Sequence, residues 1–334
     1  MANVTRRFIG YEQSRTEPNI VVDGSPNEAT VLTLTHWPGN AQPDSTDVDT
    51  SAEMAFAHLD NPVDHEPAEV VTNNHFDQDG AAGLFALVDP TLAQEHRALL
   101  VDLAAAGDFG TYRFRNAARA SMILSAFGDP ARSPVAGQLS GDAAADTALL
   151  YATTLPLLIE MVTDPAPYRD LWEAEDEVLS ASEEAVAGGS VTITEDPDLD
   201  LAVVVIDGAE PVRRGHRFGH LQLGPIHPMA VHNATGCARL LLAHQHRFHY
   251  VDRYETCVQF RTRTPLPRVD LRPLAAALTA AETGPATWTA EPPSTLTPLL
   301  APDNDSTLDL DGVLSAVRHH LQTAAPAWDP YRRS

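Results

Sequence analysis

Residues 70–90 read VVTNNHFDQDGAAGLFALVDP. Val70 and Val71 supply β-branched strand character, and Ala81 to Val88 form an apolar run of helical type that begins just after Gly80. Between strand and helix stand His75, Asp77 and Asp79, three side chains able to ligate a metal, at the carboxyl end of one strand. In an open α/β sheet that end is where ligands bind. Carboxylates with one imidazole on a turning backbone favour a hard or borderline divalent cation, Mn²⁺ or Mg²⁺, over a metal that prefers thiolate. A D-x-D-G run also suits a solvated tight turn, but here a strand precedes it and a helix follows. The acidic run DNDSTLDLDG at 303–312 has no such setting, and it lacks the mid-loop Gly and closing Glu of a calcium loop.

Working outward, Thr30 to Thr35 alternates as a strand and ends at His36-Trp37-Pro38-Gly39. Asp49-Thr50-Ser51 can cap a helix through Leu59, with Glu53 in its first turn. Thr91 to Arg97 reads as a short helix and Ala98 to Val101 as a strand ending in Asp102. This alternation predicts a parallel sheet with right-handed crossovers. It places Asp102 at the same sheet edge as the His75 loop, as a fourth ligand. His36, which also follows a strand, and Asp108 stand behind it as candidates.

Further on, helices are predicted over 115–127, 143–162 and 170–186, and Gly188-Gly189 makes a linker. Strands at 191–194 and 201–206 then form a hairpin. His227-Pro228 starts a helix that runs to about His246, with His232 near a beginning whose free backbone N–H groups suit an anion. Tyr254 to Thr262 alternates, leaving Arg261 and Arg263 on the polar face, free to fork onto phosphate oxygens. Helices follow over 269–282 and 308–321. The expected fold class is α/β: a Rossmann-like parallel-sheet domain with a second, smaller α/β domain. The expected division is an arm at 1–28, a metal-binding domain at 29–187, a substrate-binding domain at 190–290 and a Pro-rich extension with one helix at 291–334.

Bulk properties narrow the function. A chain of 334 residues defaults to two domains. Leu149 to Val162, interrupted by Glu160, comes nearest to the run of about eighteen apolar residues that spans a bilayer. The N-terminal segment has no apolar h-region, and a cytoplasmic location without membrane attachment is expected. Cys237 and Cys257 are too few for a disulfide framework or zinc cage. A net charge of −24 opposes binding to duplex nucleic acid. All 22 basic residues are Arg, and residues 211–272 hold ten of them with seven His against Asp252, Glu255 and Asp270. Such an island either focuses a positive field on a small anion or pairs internally with acidic neighbours.

The run His75-Phe76-Asp77-Gln78-Asp79-Gly80, after a strand and opening a helix, resembles the first motif of the DHH phosphoesterase superfamily. The resemblance implies an N-terminal Rossmann-like metal domain and a C-terminal DHHA1-type domain. It also implies that His75 and Asp77 hold one metal, that Asp79 holds another, and that a later strand-end Asp, matched by Asp102, bridges both. Arg261 and Arg263, followed by Val269-Asp270-Leu271 entering a helix, are similar to the DHHA1 substrate strand and helix. The chain departs from the pattern twice. It has no Asp-His-His triplet, and Thr283-Gly284-Pro285-Ala286 stands where a GGGH segment is expected, so the second metal site is altered or lost on this reading.

The function expected is a metal-dependent phosphoesterase. His75, Asp77, Asp79 and Asp102 would be the catalytic metal ligands for Mn²⁺ or Mg²⁺, and Arg261, Arg263, His227 and His232 would bind the substrate. The partner is a small phosphorylated substrate, nucleotide or short oligonucleotide, and a homodimer is left open. The competing expectations are an inactive nucleotide-binding sensor of the same fold, favoured by the missing triplet, and a structural protein in which 75–80 is only a polar turn.

Overall fold

The computed structural model describes residues 6–40, 48–62, 64–208, 223–224 and 226–331. It divides into two compact units: unit 1 is Met1–Asp176 with Phe260–Thr262, and unit 2 is Glu177–Gln259 and Arg263–Ser334.

Unit 1 is built on a wholly parallel sheet of β1 (Arg7–Phe8), β2 (Asn19–Val22), β3 (Thr30–Leu34) and β4 (Val70–Thr72), in the order β1-β4-β2-β3. The α/β class expected from the sequence is the one found. Strands β2 and β4 are interior and buried along their whole length, which is why they read as short continuous β-branched runs without alternation. Within the expected arm at 1–28, the described residues 6–28 are no arm: they supply β1, a short helix α1 (Tyr11–Ser14) and the interior strand β2. NIVV escapes notice because it is only four residues long and is bounded by Pro and Gly. Its parallel partner β3 follows without a helix, because the link 23–29, at up to about 3.3 Å per residue, is long enough to return beside so short a strand.

Helix α2 (Ser51–Asp60) starts where the sequence placed a cap, and the structure makes that cap a capping box, Thr50 and Glu53 each satisfying the other's backbone N–H. Helix α3 (Gln78–Val88) is buried on nearly every side. A Cβ at Gly83 would lie 2.5 Å from Val22 Cγ1 and 3.3 Å from Ala52 Cα, so glycine lets α3 approach both β2 and α2. The remaining helices of the unit are α4 (Pro90–Glu95), α5 (Arg97–Asp108), α6 (Arg115–Gly128), α7 (Ala143–Thr154) and α8 (Leu158–Thr163), and α9 (Arg169–Gly188) leads on to unit 2. Residues 143–163 are the one stretch among the described residues with the length and apolarity of a membrane span. Pro156 lies in a 3₁₀ turn between α7 and α8, and Tyr151, Leu158, Met161 and Val162 are buried in the unit.

The predicted strand 98–101 is instead the first turn of α5. Leu100, Leu103, Ala104 and Gly107 are buried at helical spacing, a period masked in sequence by the continuous run Leu99-Leu100-Val101. Asp102 accordingly does not stand at a strand end. Its carboxylate accepts the backbone N–H groups of Arg113 (2.9 Å) and Phe114 (2.7 Å), in the turn just ahead of α6.

Unit 2 carries a six-stranded mixed sheet in the order β10-β11-β8-β7-β6-β5. Its strands are β5 (Val191–Asp196), β6 (Leu201–Ile206), β7 (Arg239–His244), β8 (Arg247–Asp252), β10 (Trp288–Ala290) and β11 (Leu299–Pro302). The β5–β6 hairpin is as predicted. The helix from His227, α10 (Pro228–Ala234), ends before Thr235-Gly236 instead of running to His246, and RLLLAH becomes the fully buried strand β7. Helices α11 (Arg272–Ala281) and α12 (Leu310–Thr323) cover one core built on Leu241, Phe248, Tyr250, Leu274, Trp288 and Val317. A two-stranded ribbon of β9 (Arg268–Val269) and β12 (Pro326–Trp328) completes the unit. The stretch 291–334 thus contributes β11, α12 and β12 to the unit as well as its prolines.

The predicted strand 254–262 does not form: Tyr254–Thr256 is a 3₁₀ turn and the chain beyond it is irregular. Buried guanidinium groups take over where no backbone ladder exists. Arg268, fully buried, donates to the carbonyls of Pro293 (2.8 Å) and Leu296 (2.7 Å) and to Thr256 Oγ1 (2.6 Å). Arg239 donates to Leu199 O (2.9 Å) and Pro267 O (2.7 Å), and Arg253 to Thr235 O (3.0 Å). The described part of the basic island is therefore largely scaffold, with Arg272 paired to Asp270 and Arg263 to Asp200. Residues 211–222 and Pro225 of that island lie outside the described residues.

Replacing Asp102 by Ala should cost about 1–3 kcal/mol of stability, the worth of a buried carboxylate that accepts backbone N–H groups. Chemical denaturation checks the loss, and equilibrium dialysis should show Mn²⁺ uptake unchanged.

Candidate metal centre

Because β2, β3 and β4 run parallel, their carboxyl ends share one edge of the sheet. Asp23 follows β2 directly, His36 stands two residues past β3, and β4 leads through Asn73 into the His75–Asp77 loop. Asp23 has φ +55°, in the left-handed region that residues with a Cβ seldom adopt, and it is 1% exposed. The surroundings impose this conformation: its N–H donates to Leu34 O (2.9 Å) and its Oδ1 accepts the Ser51 hydroxyl (2.8 Å). Strain of this kind persists at sites that need it.

Two sets of side chains meet here. Asp23, His36, Asp79 and Asp108 each offer one ligand atom within 4.8 Å of the others, and all four are buried. Asp23, His75 and Asp77 form a second set by the same measure, nearer the surface, with the His75 side chain 34% exposed. Asp23 belongs to both. Its Oδ1 lies 3.6 Å from His36 Nε2, and its Oδ2 lies 3.2 Å from His75 Nε2. Asp108 Oδ2, at the end of α5, is 3.5 Å from His36 Nε2, and Asp77 Oδ2 is 3.3 Å from His75 Nε2.

Local structure holds each ligand. His36 Nδ1 lies 2.8 Å from the Asp49 carbonyl. A carbonyl only accepts, so Nδ1 carries the proton and Nε2 faces Asp23 and Asp108. Asp77 caps α3, accepting Gly80 N–H (2.8 Å). Asp79 takes the first two N–H groups of α2, those of Ser51 and Ala52, at 2.7 Å each.

Burial pushes the carboxyls of Asp23 and Asp79 above their ordinary range, and neighbouring carboxylates add to the shift: Asp77 on Asp23, and Asp23 then Asp77 on Asp79. For His75, burial is the largest single influence and pulls the imidazole down, but the neighbouring carboxylates of Asp77 and Asp23 outweigh it and push it up to about 11. The fit to a cation rests on two buried atoms. Asp23 Oδ2 and His75 Nε2 lie within ion-pair distance at 3.2 Å, yet neither has a partner in hydrogen-bond geometry. A divalent cation accepting both would satisfy them, and the mixed imidazole and carboxylate donors suit Mn²⁺ or Mg²⁺ better than a thiolate-bound metal.

Of the residues expected from sequence, His75, Asp77 and Asp79 are brought together, and His36 and Asp108 join them. Asp102 is not part of the cluster. Asp23 is the ligand that sequence reading missed, although NIVVDG at 19–24 has the same strand-then-Asp-Gly grammar as the HFDQDG loop. Arg261 belongs to unit 1, where its N–H donates to Asp49 Oδ1 (2.7 Å), the same residue whose carbonyl holds His36. The remaining three lie in unit 2. Arg263 Nη1 is 3.3 Å from Asp200, His227 caps α10 by accepting Met229 N–H (3.2 Å), and His232 is buried in α10. The N–H at the head of that helix is thus engaged by His227 and not left for an anion.

The chain belongs to a family of unknown function, DUF6687, whose model matches residues 4–332. No curated protein and no solved structure matches it. The family match runs through both units, so the cluster of Asp and His side chains in unit 1 and the buried arginines of unit 2 fall within one family pattern.

Raised carboxyl groups favour folding only while they are protonated, and the raised His75 only while it is charged. Both contributions fade as pH rises through the folded-state values. The metal-free protein should therefore melt lower at about pH 8 than at about pH 6. Cation binding requires deprotonated ligands, so the rise in Tm on adding Mn²⁺ should be larger at the higher pH. Scanning calorimetry with and without EDTA checks both signs.

Proposed function

We propose that this member of DUF6687 is a divalent-cation-dependent phosphoesterase acting on a small phosphate ester, a nucleotide or a short oligonucleotide, with Mn²⁺ or Mg²⁺ as cofactor. The observation that carries this reading is Asp23: one buried carboxylate whose two oxygens face two sets of ligand atoms, each with its own imidazole. The likeness of HFDQDG to the first DHH motif supports phosphate esters as the substrate class. The ligands left wanting by the absent Asp-His-His triplet have counterparts in Asp23, His36 and Asp108, which favours a hydrolase over a binding-only sensor.

Asp23, His36, Asp79 and Asp108 would hold an inner cation, and Asp23, His75 and Asp77 an outer one. Cations bound there supply Lewis acidity toward a phosphoryl oxygen and acidify a water molecule at neutral pH. The chain's own residues orient and exclude. Asp49 fixes the His36 tautomer through its carbonyl. Trp37 sets its ring edge-on to the His75 imidazole, with centroids 6.0 Å apart, and screens one flank of the outer set. The exposed side of His75 is the approach for substrate, and Arg261, whose backbone N–H is held by Asp49, is a candidate in unit 1 to grip a phosphate. A net charge of −24 is consistent with a small ligand in place of duplex nucleic acid. Two unpaired cysteines, Cys237 and Cys257, suit the reducing cytoplasm.

A screen of chromogenic phosphodiesters, nucleotides and pyrophosphate should find turnover that EDTA abolishes and Mn²⁺ restores. Asp23→Asn and Asp77→Asn should each lower it by more than about a hundredfold, since changes even outside the ligand shell cost up to that much. Uniform inactivity of folded, Mn²⁺-loaded protein would leave the sensor reading in its place.

A further inference from the structure

We infer that Tyr151 is the positioning residue of the outer metal position, tying the backbone of both loop ligands to a single phenolic oxygen. The inference rests on the metal reading above and extends it to a residue 74 positions from Asp77, on an element that no motif marks. Tyr151 lies on α7 and is completely buried. Its Oη accepts the N–H of Asp77 (3.3 Å) and the side-chain Nδ2–H of Asn73 (3.1 Å). Asn73 in turn accepts the N–H of His75 through its Oδ1 (3.2 Å). One oxygen therefore holds Asp77 directly and His75 through one intermediary.

The surroundings keep that oxygen in place. The Tyr151 ring is wedged edge-on between Phe8 (centroids 5.4 Å apart) and Phe76 (5.0 Å), and Phe76 sits between the two ligands in sequence. A Cβ at Gly80 would come within 2.2 Å of Tyr151 Oη and 2.4 Å of Asn73 Nδ2. The first turn of α3 thus abuts the phenol, and glycine is required there because the hydroxyl occupies the space.

The outer position needs such an anchor more than the inner one does. The inner ligands stand at a strand end, beyond a strand or on helices, and Asp79 is held by the α2 amides and His36 by the Asp49 carbonyl. His75 and Asp77 ride on a loop at the more exposed side of the cluster. Loop ligands without an external support lose affinity by having to be ordered on binding, and groups that orient ligands commonly account for about 10–100-fold in metal affinity.

Calorimetric titration of Mn²⁺ into metal-free full-length protein tests this. Wild type should show two binding events, and His75→Ala should abolish one of them, which assigns it to the outer position. Tyr151→Phe keeps the ring packing and removes only Oη. It should weaken that same event about 10–100-fold and leave the other unchanged. A merely structural role would lower Tm and weaken both events or neither, and either pattern overturns the inference. Asn73→Ala cuts only the His75 branch, should give a smaller loss confined to the same event, and decides the matter if Tyr151→Phe does not fold. Wild type that binds no Mn²⁺ would overturn the metal centre itself. Two normal events with an unselective Tyr151→Phe would overturn this inference alone.

Discussion

Carboxylates withdrawn from water at the edge of a four-stranded sheet impose the main constraint on unit 1. Asp23, Asp79 and Asp108 are buried beside His36, and an uncompensated charge in such a place costs several kcal/mol. Neighbouring elements answer that cost at Asp79 and Asp23. The head of α2 turns two N–H groups onto Asp79, the Ser51 hydroxyl bonds Asp23, and the His75 imidazole lies between the carboxylates of Asp23 and Asp77. These arrangements reduce the penalty without removing it, since Asp23 and Asp79 still sit above their ordinary range. Buried carboxylates of this kind are either paired or coordinate a metal.

The same logic governs glycine and aromatic positions that look unremarkable in sequence. Gly83 lets α3 press against Val22, the last residue before Asp23, and Gly80 makes room for the Tyr151 hydroxyl. The close approach of α3 to its neighbours and the placing of the ligand loop are therefore one feature, not two.

Unit 2 solves a different problem by a related means. Its irregular segments leave carbonyls without a ladder, and buried guanidinium groups meet them: Arg239 reaches Pro267 O between β8 and α11, Arg253 reaches Thr235 O before β7, and Arg268 reaches Pro293 O after β10. Each guanidinium carries five donors in a rigid fork, which lets one buried side chain serve several carbonyls at once. The basic tract that reads as an anion-binding island is, where described, mostly internal bracing. Sequence cannot separate these uses of Arg, because burial decides between them.

What the sequence determined by itself is local. It set the capped start of α2, the strand–loop–helix around HFDQDG, the β5–β6 hairpin and the α/β class, all of which follow from side-chain periodicity and from caps a few residues apart. Tertiary structure decided the rest. It made NIVV an interior strand and so delivered Asp23, it turned 98–101 into helix and removed Asp102 from the site, and it brought Tyr151 beneath the ligand loop. A four-residue strand or a single phenol acquires its role only from what packs on it. The side chains that complete this centre are separated by long stretches of chain, and only the parallel sheet, with its strand ends on one edge, brings them together.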